Sequence, residues 1–185
     1  ISKKVHSSYL LKAQKGQFTG CLAPFGYRKD PEDKNHLLID EETAPIVRRL
    51  FAWALEGHGP NYIRRRLEEE KIPCPTYWNR VRGLRNVSTK WEKKDPVNGR
   101  YIWDFTVIKD ILMNPVYTGA IASQKKEYRF KIGTIGEKKP EEWIVVENQH
   151  EPLVDRKTFD IVQRKLKSRQ RPRQTGEISL FAGLI

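Results

Sequence analysis

The apolar residues of this chain change their period at Pro115. Before it they recur at helical spacing, and after it they fall in short strand-like strings. That switch sets the expected fold class as α+β. A helical helix-turn-helix-type domain comes first, then a small β-hairpin or strand region, then a C-terminal helix.

The helical part reads segment by segment. Ser2 to about Lys15 is predicted as a helix, with Ser2 as N-cap, Val5, Tyr9 and Ala13 on one face, and Gly16 at its end. Gln17 to Tyr27 holds Gly20, Pro24 and Gly26, and is expected to be an extended linker with turns. A short strand is expected at Leu37-Leu38-Ile39. The clearest helix runs from Asp40 to Gly57, with acids at its start and Ile46, Val47, Leu50, Phe51 and Ala54 as one stripe. Pro60 opens a second helix to about Lys71, with Ile63 and Leu67 inward. Residues 73–103 read as a long loop, and loops of that length are commonly functional. Asp104 caps a third helix in which Val107, Ile108, Ile111 and Leu112 face inward.

Beyond Pro115, strands are expected at Val116 to Ser123, Tyr128 to Ile132 and Trp143 to Glu147, with Gly133, Gly136 and Pro140 in the turn between the last two. Asp155 caps a helix aligning Phe159, Val162 and Leu166. Ser179 to Ile185 reads as the opening of another strand.

Charge narrows the function. Lys and Arg total 35 against 23 Asp and Glu, a net of +12. The excess is blocked. Residues 1–30 hold six basic groups and one acid, 31–60 three and six, 78–94 six and one, and 155–174 eight and two. Separate basic blocks around a helical core point to a polyanion touched at several places. No apolar run approaches the roughly 20 residues of a membrane span, so a membrane partner is not expected. Cys21 and Cys74 lie in no CxxC, and His6, His36, His58 and His150 show no ligand spacing, so no metal is expected. No P-loop, HExxH or GxSxG motif is present.

Helices 60–71 and 104–113, supported by 43–56, suit a helix-turn-helix, although its usual connection is far shorter than the thirty residues here. With the apolar side of 104–113 inward, Phe105, Thr106, Lys109 and Met113 face out. Lys donates to guanine edges, and Thr or Phe touches a thymine methyl in the major groove. The Gly-containing stretch with Lys12, Lys15 and Arg28 suits the minor groove and its phosphates. Arg80, Arg82 and Arg85 lie in the basic part of the 76–102 insertion. The run Arg64-Arg65-Arg66 is balanced by Glu68, Glu69 and Glu70 and reads first as the wet side of its helix.

Six motifs in order then resemble the large serine recombinases, the phage integrases and mobile-element transposases. They are Ile1-Ser2 through Lys15-Gly16, Gly20 and Ala23-Pro24-Phe25-Gly26-Tyr27; Asp40 through Phe51; Gly57, Ile63, Leu67 and Ile72-Pro73; Trp103, Thr106-Val107 and Ile111 through Gly119; His150 through Asp155 with Phe159; and Phe181 through Ile185. The resemblance implies a parent enzyme that cuts and rejoins two DNA sites through a covalent phosphoserine, without ATP. It implies that the serine-bearing domain is not in this chain. It also implies no cofactor here, with zinc in a missing C-terminal part. Residues 1–27 would be the end of a long linking helix and a minor-groove linker that includes Gly16, Gly20 and Tyr27. Residues 28–116 would be the recombinase helix-turn-helix domain, with 76–102 inserted. Residues 117–185 would begin a truncated zinc-ribbon domain.

The implied partner is double-stranded DNA of an attachment site, bound in the cytoplasm of a bacterium. The parent would act as a dimer or tetramer, and this piece as a monomer. The first residue is Ile rather than Met, which is expected of an excised piece. A stand-alone helix-turn-helix regulator is the alternative. A nuclease acting within the chain is a third reading.

Overall fold

Thr43 starts the central helix. The Thr43 hydroxyl donates to the Asp40 carboxylate, and the Asp40 carbonyl accepts from the Thr43 and Ala44 N–H groups. This turn delays the helix, so α1 and α2 are Ser2–Gln14 and Ala44–Glu56. Helix α2 thus begins four residues later than its acidic start predicts. Gly57, with φ of +100°, ends it as a left-handed cap. These elements belong to a computed structural model that describes residues 2–84, 95, 97–129 and 133–168.

Helix α3 spans Pro60–Glu69 and buries Ile63 and Leu67 as expected. The predicted long loop is not structureless. Pro75–Val81 forms a short helix, α4, and Gly99–Tyr101 a 3-10 turn. Helix α5 is Phe105–Met113, and Asn114 then caps a 3-10 helix over Pro115–Thr118 where a strand was expected. Asn114 Oδ1 accepts from the Val116 N–H, and Gly119 stops the turn at φ +84°. The last helix among the described residues, α6, is Arg156–Ser168; the Asp155 carboxylate accepts from the Thr158 N–H at 2.9 Å. The expected strand at 179–185 lies outside the described residues.

The strands are short and antiparallel. β1 (Tyr27–Lys29) pairs with β2 (Leu37–Ile39), Tyr27 opposite Ile39. β3 (Ile121–Ser123), β4 (Lys126–Arg129), β5 (Gly133–Glu137) and β6 (Ile144–Val146) follow. β3 pairs with β6, and β4 with β5 across a bulge at Glu127/Tyr128. The glycines expected to make a turn therefore lie in a strand. The α+β class stands, with one ribbon between α1 and α2 and two between α5 and α6.

One core joins these pieces. Val47, Leu50 and Phe51 of α2 meet Ile63 and Leu67 of α3, Ile108 and Leu112 of α5, and Phe159 and Val162 of α6. Tyr27 and Tyr117 sit at its middle, 3 % and 1 % exposed, with rings 6.0 Å apart. The Tyr27 hydroxyl donates to the Glu151 carbonyl at 2.9 Å and accepts from the Leu153 N–H. The Tyr117 hydroxyl donates to the Phe25 carbonyl at 2.9 Å. The Trp103 indole donates to the Ile72 carbonyl, and its ring meets Phe25 edge-on.

Candidate nucleic-acid interface

Asp104 sets the start of α5. Its carboxylate accepts from the Thr106 N–H and hydroxyl, both at 2.8 Å. Those two bonds hold the carboxyl below the usual range. Ile108, Ile111 and Leu112 then face the core and are almost fully buried. The periodicity forces the other side outward. Phe105 is 40 % exposed and Met113 43 %, Thr106 is exposed, and Lys109 is half-buried. The four residues read from the sequence thus share one side of α5. Helix α3 packs directly against α5, and α2 packs against both. The two helices form a helix-turn-helix-like pair although α4 and the 3-10 turn intervene.

Helix α3 carries its arginines mostly paired. Arg64 meets Glu68 at 3.1 Å, Arg66 meets Glu70 at 3.4 Å, and Arg49 of α2 also bonds Glu70. The Arg49 guanidinium also lies 4.7 Å from the Trp53 ring centroid. Two of the three arginines in the 64–66 run are therefore tied to carboxylates.

The N-terminal segment exposes some of its predicted residues and buries others. Lys12, Lys15 and Arg28 are exposed. Gly16 has φ of +68° and is buried; a Cβ there would run into the Gln149 side chain. Gly20 lies against the Phe18 ring, and its carbonyl accepts from Lys29 Nζ at 2.6 Å. Tyr27, expected beside a groove, instead directs its ring into the core because its hydroxyl finds two backbone partners there.

The insertion is fastened at α4. Arg82 reaches Asp40 Oδ2 and Glu42 Oε2, each at 2.6 Å, and stacks over Trp78. Burial pushes the Asp40 carboxyl up, but bonds from Arg82 and Thr43 outweigh it and hold it below the usual range. Arg82 therefore ties α4 to the start of α2. Arg80 is exposed, and Arg85 lies outside the described residues. Among the described residues no group of three or more His, Cys, Asp or Glu side chains is placed to hold a metal ion. Cys21 is exposed and Cys74 buried, and both are free thiols.

Sequence reasoning missed Lys4, Phe18, Lys29 and Lys34. They meet across α1, the linker and the β1–β2 hairpin, and no spacing within one segment signals that meeting.

The shared side of α5, the α2–α3–α5 packing and the basic N-terminal segment make up a helix-turn-helix-like arrangement. Comparison with known proteins gives its family. The family model described as Recombinase matches residues 41–169, which is 129 of 185 residues, and the chain belongs to that family. The resemblance to large serine recombinases read from the motifs is thereby borne out. A curated relative, the uncharacterized protein YefB of Bacillus subtilis (strain 168), is 37 % identical over 81 residues, 43 % of this chain and 27 % of that protein. A structure solved under the heading of sequence requirements of the Listeria innocua prophage attP site matches with a TM-score of 0.58 and 15 % identity. It covers 95 % of this chain and 56 % of that one. The crystal structure of an LSR–DNA complex matches with a TM-score of 0.53 and 15 % identity, over 97 % of this chain and 44 % of that one. At that identity the two structures share the fold. The chain spans about half the length of these solved chains and 27 % of YefB.

Proposed function

We propose that this chain is the sequence-specific DNA-binding part of a site-specific serine recombinase that moves a mobile element by strand exchange. The observation that carries the reading is the family match over the helical core, together with the one side of α5 that the core leaves to solvent. That match favours it over a stand-alone regulator. In this reading α5 lies in the major groove. Lys109 donates to a guanine edge, and Phe105, Thr106 and Met113 contact thymine methyls or neighbouring sugars. Residues 16–27 cross the minor groove, with Lys12, Lys15 and Arg28 on flanking phosphates. Arg80 and Arg85 of the insertion add phosphate contacts, whereas Arg82 acts by holding α4. Residues 1–27 serve as linker and 28–116 as helix-turn-helix domain, and residues from 117 to Val162 complete the same core. The nucleophilic serine and the zinc belong to parts of the parent outside this chain.

Selection of bound duplexes from a random pool tests this, followed by titration at two salt concentrations. The expected result is a defined half-site bound at least ~10³-fold more tightly than random DNA. Uniform, steeply salt-dependent binding would mean that only phosphates are held. Cutting of the duplex by this chain alone would support the nuclease reading instead.

A further inference from the structure

Two cavities beside α1 share Tyr9, Phe18 and Thr19 in their walls, so they form one groove. The larger, about 410 Å³, lies between α1 and the β1–β2 hairpin. The smaller, about 260 Å³, continues between the linker and β3 and ends at Lys125. Lysines line the groove from separate segments: Lys4 and Lys12 from α1, Lys29 from β1, Lys34 from the hairpin turn. Among the described residues no carboxylate lines either cavity.

The lysines divide by role. Lys29 is engaged: its Nζ bonds the Gly20 carbonyl and lies 5.6 Å from the Phe18 ring centroid, so it shapes the groove floor. Lys4, Lys12 and Lys34 have no ion-pair partner among the described residues. Lys125 closes the far end, bonded to Asn114 Oδ1 at 3.1 Å beside the Trp143 ring. Burial there lowers the Lys125 pKa, and an anion in the groove would favour its charged form. Tyr9, half exposed at 50 %, and Phe18 supply flat apolar faces between the cations.

Cations around aromatic faces, with no acid among them, suit a strand that alternates phosphate with sugar. We propose that this groove seats one phosphodiester strand of the bound DNA, with Lys4, Lys12 and Lys34 on successive phosphates and Tyr9 and Phe18 against the sugars. The inference rests on the DNA-binding reading and deepens it. It makes the β1–β2 hairpin a DNA-contacting element, although its turn lies in the acid-rich part of the sequence. An acidic peptide fits the charge as well. It is disfavoured because the groove floor is the 18–20 segment, continuous with the extended linker that the DNA reading places on the duplex.

The test uses the 185-residue chain and the half-site duplex recovered by selection. Binding is measured over a salt series for the wild type, for Lys34→Gln, and for the triple variant Lys4→Gln/Lys12→Gln/Lys34→Gln. The slope of log K against log salt should fall by about 0.9 in the single variant and by about 2–3 in the triple one. Half-site and random duplex should weaken together, leaving their ratio unchanged. Melting temperatures should match the wild type, because none of the three lysines has an ion-pair partner among the described residues. An unchanged slope in a folded triple variant overturns the groove assignment while half-site preference keeps the DNA reading. Loss of poly-glutamate binding without loss of DNA affinity also overturns it, in favour of a protein partner. Absence of DNA binding by the wild type removes the DNA reading itself, and the groove assignment with it.

Discussion

Tyr117 sits within the Asn114–Gly119 run, and its position explains why that run reads as a motif. Its ring fills the core and its hydroxyl satisfies the Phe25 carbonyl. Tyr117→Phe leaves that carbonyl without its partner, and should cost about 1–3 kcal/mol in urea unfolding. Gly119 follows with φ of +84°, and a Cβ would stand 2.8 Å from the His150 carbonyl. Gly119→Ala should therefore destabilise by upwards of about 1 kcal/mol in the same measurement. His150 is 8 % exposed; its Nε2 donates to the Val116 carbonyl, and its buried Nδ1 has no hydrogen-bond partner among the described residues. Burial lowers its pKa, and the Val116 bond offsets only part of that. Folding thus favours the neutral ring. Stability should be intact above about pH 6.5 and should fall as acid protonates the unfolded chain in preference. Urea titrations from pH 8 to 5 check this, and His150→Gln should flatten the slope. The residues that carry the family resemblance are largely these core groups. They announce the fold, and they leave the DNA-facing side chains to be deduced from what the core does not use.

At the scale of elements, legibility followed burial. α2, α3, α5 and α6 were readable because each buries apolar residues at helical spacing and has a cap or proline at its start. α4 escaped because none of its residues is buried, so no stripe marks it. The 3-10 helix at Pro115 passed for a strand because Val116 and Tyr117 are both core residues of strand-favouring type. β5 escaped because its glycines suggest a turn. The outward side of α5 was legible by subtraction, whereas the lysine groove was not, since three segments build it. The Arg82 pair is a tertiary tie of the same kind. Arg82→Gln should cost about 2 kcal/mol, since it leaves a buried carboxylate with fewer donors. Because folding lowers the Asp40 pKa, that tie is present at neutral pH and is lost as pH falls through the carboxylate range. In the Arg82→Gln variant, the acid limb of the stability curve should be shallower.

Across the whole molecule, the tyrosine pair joins distant parts of the chain. Tyr27 and the Glu151 carbonyl it bonds are 124 positions apart, and Tyr117 and Phe25 are 92 apart. The N-terminal hairpin and the stretch before α6 thus share one core. A chain ending at residue 149 should lose its cooperative unfolding transition, since it removes Leu153, Phe159 and Val162 from that core.

The same tie sets a timetable for synthesis. A ribosome adds roughly 5–20 residues per second. The hairpin therefore emerges on the order of ten seconds before residues 150–154 exist to close over Tyr27. Through that interval the nascent chain presents an apolar surface that stays unfinished until α6 has been made.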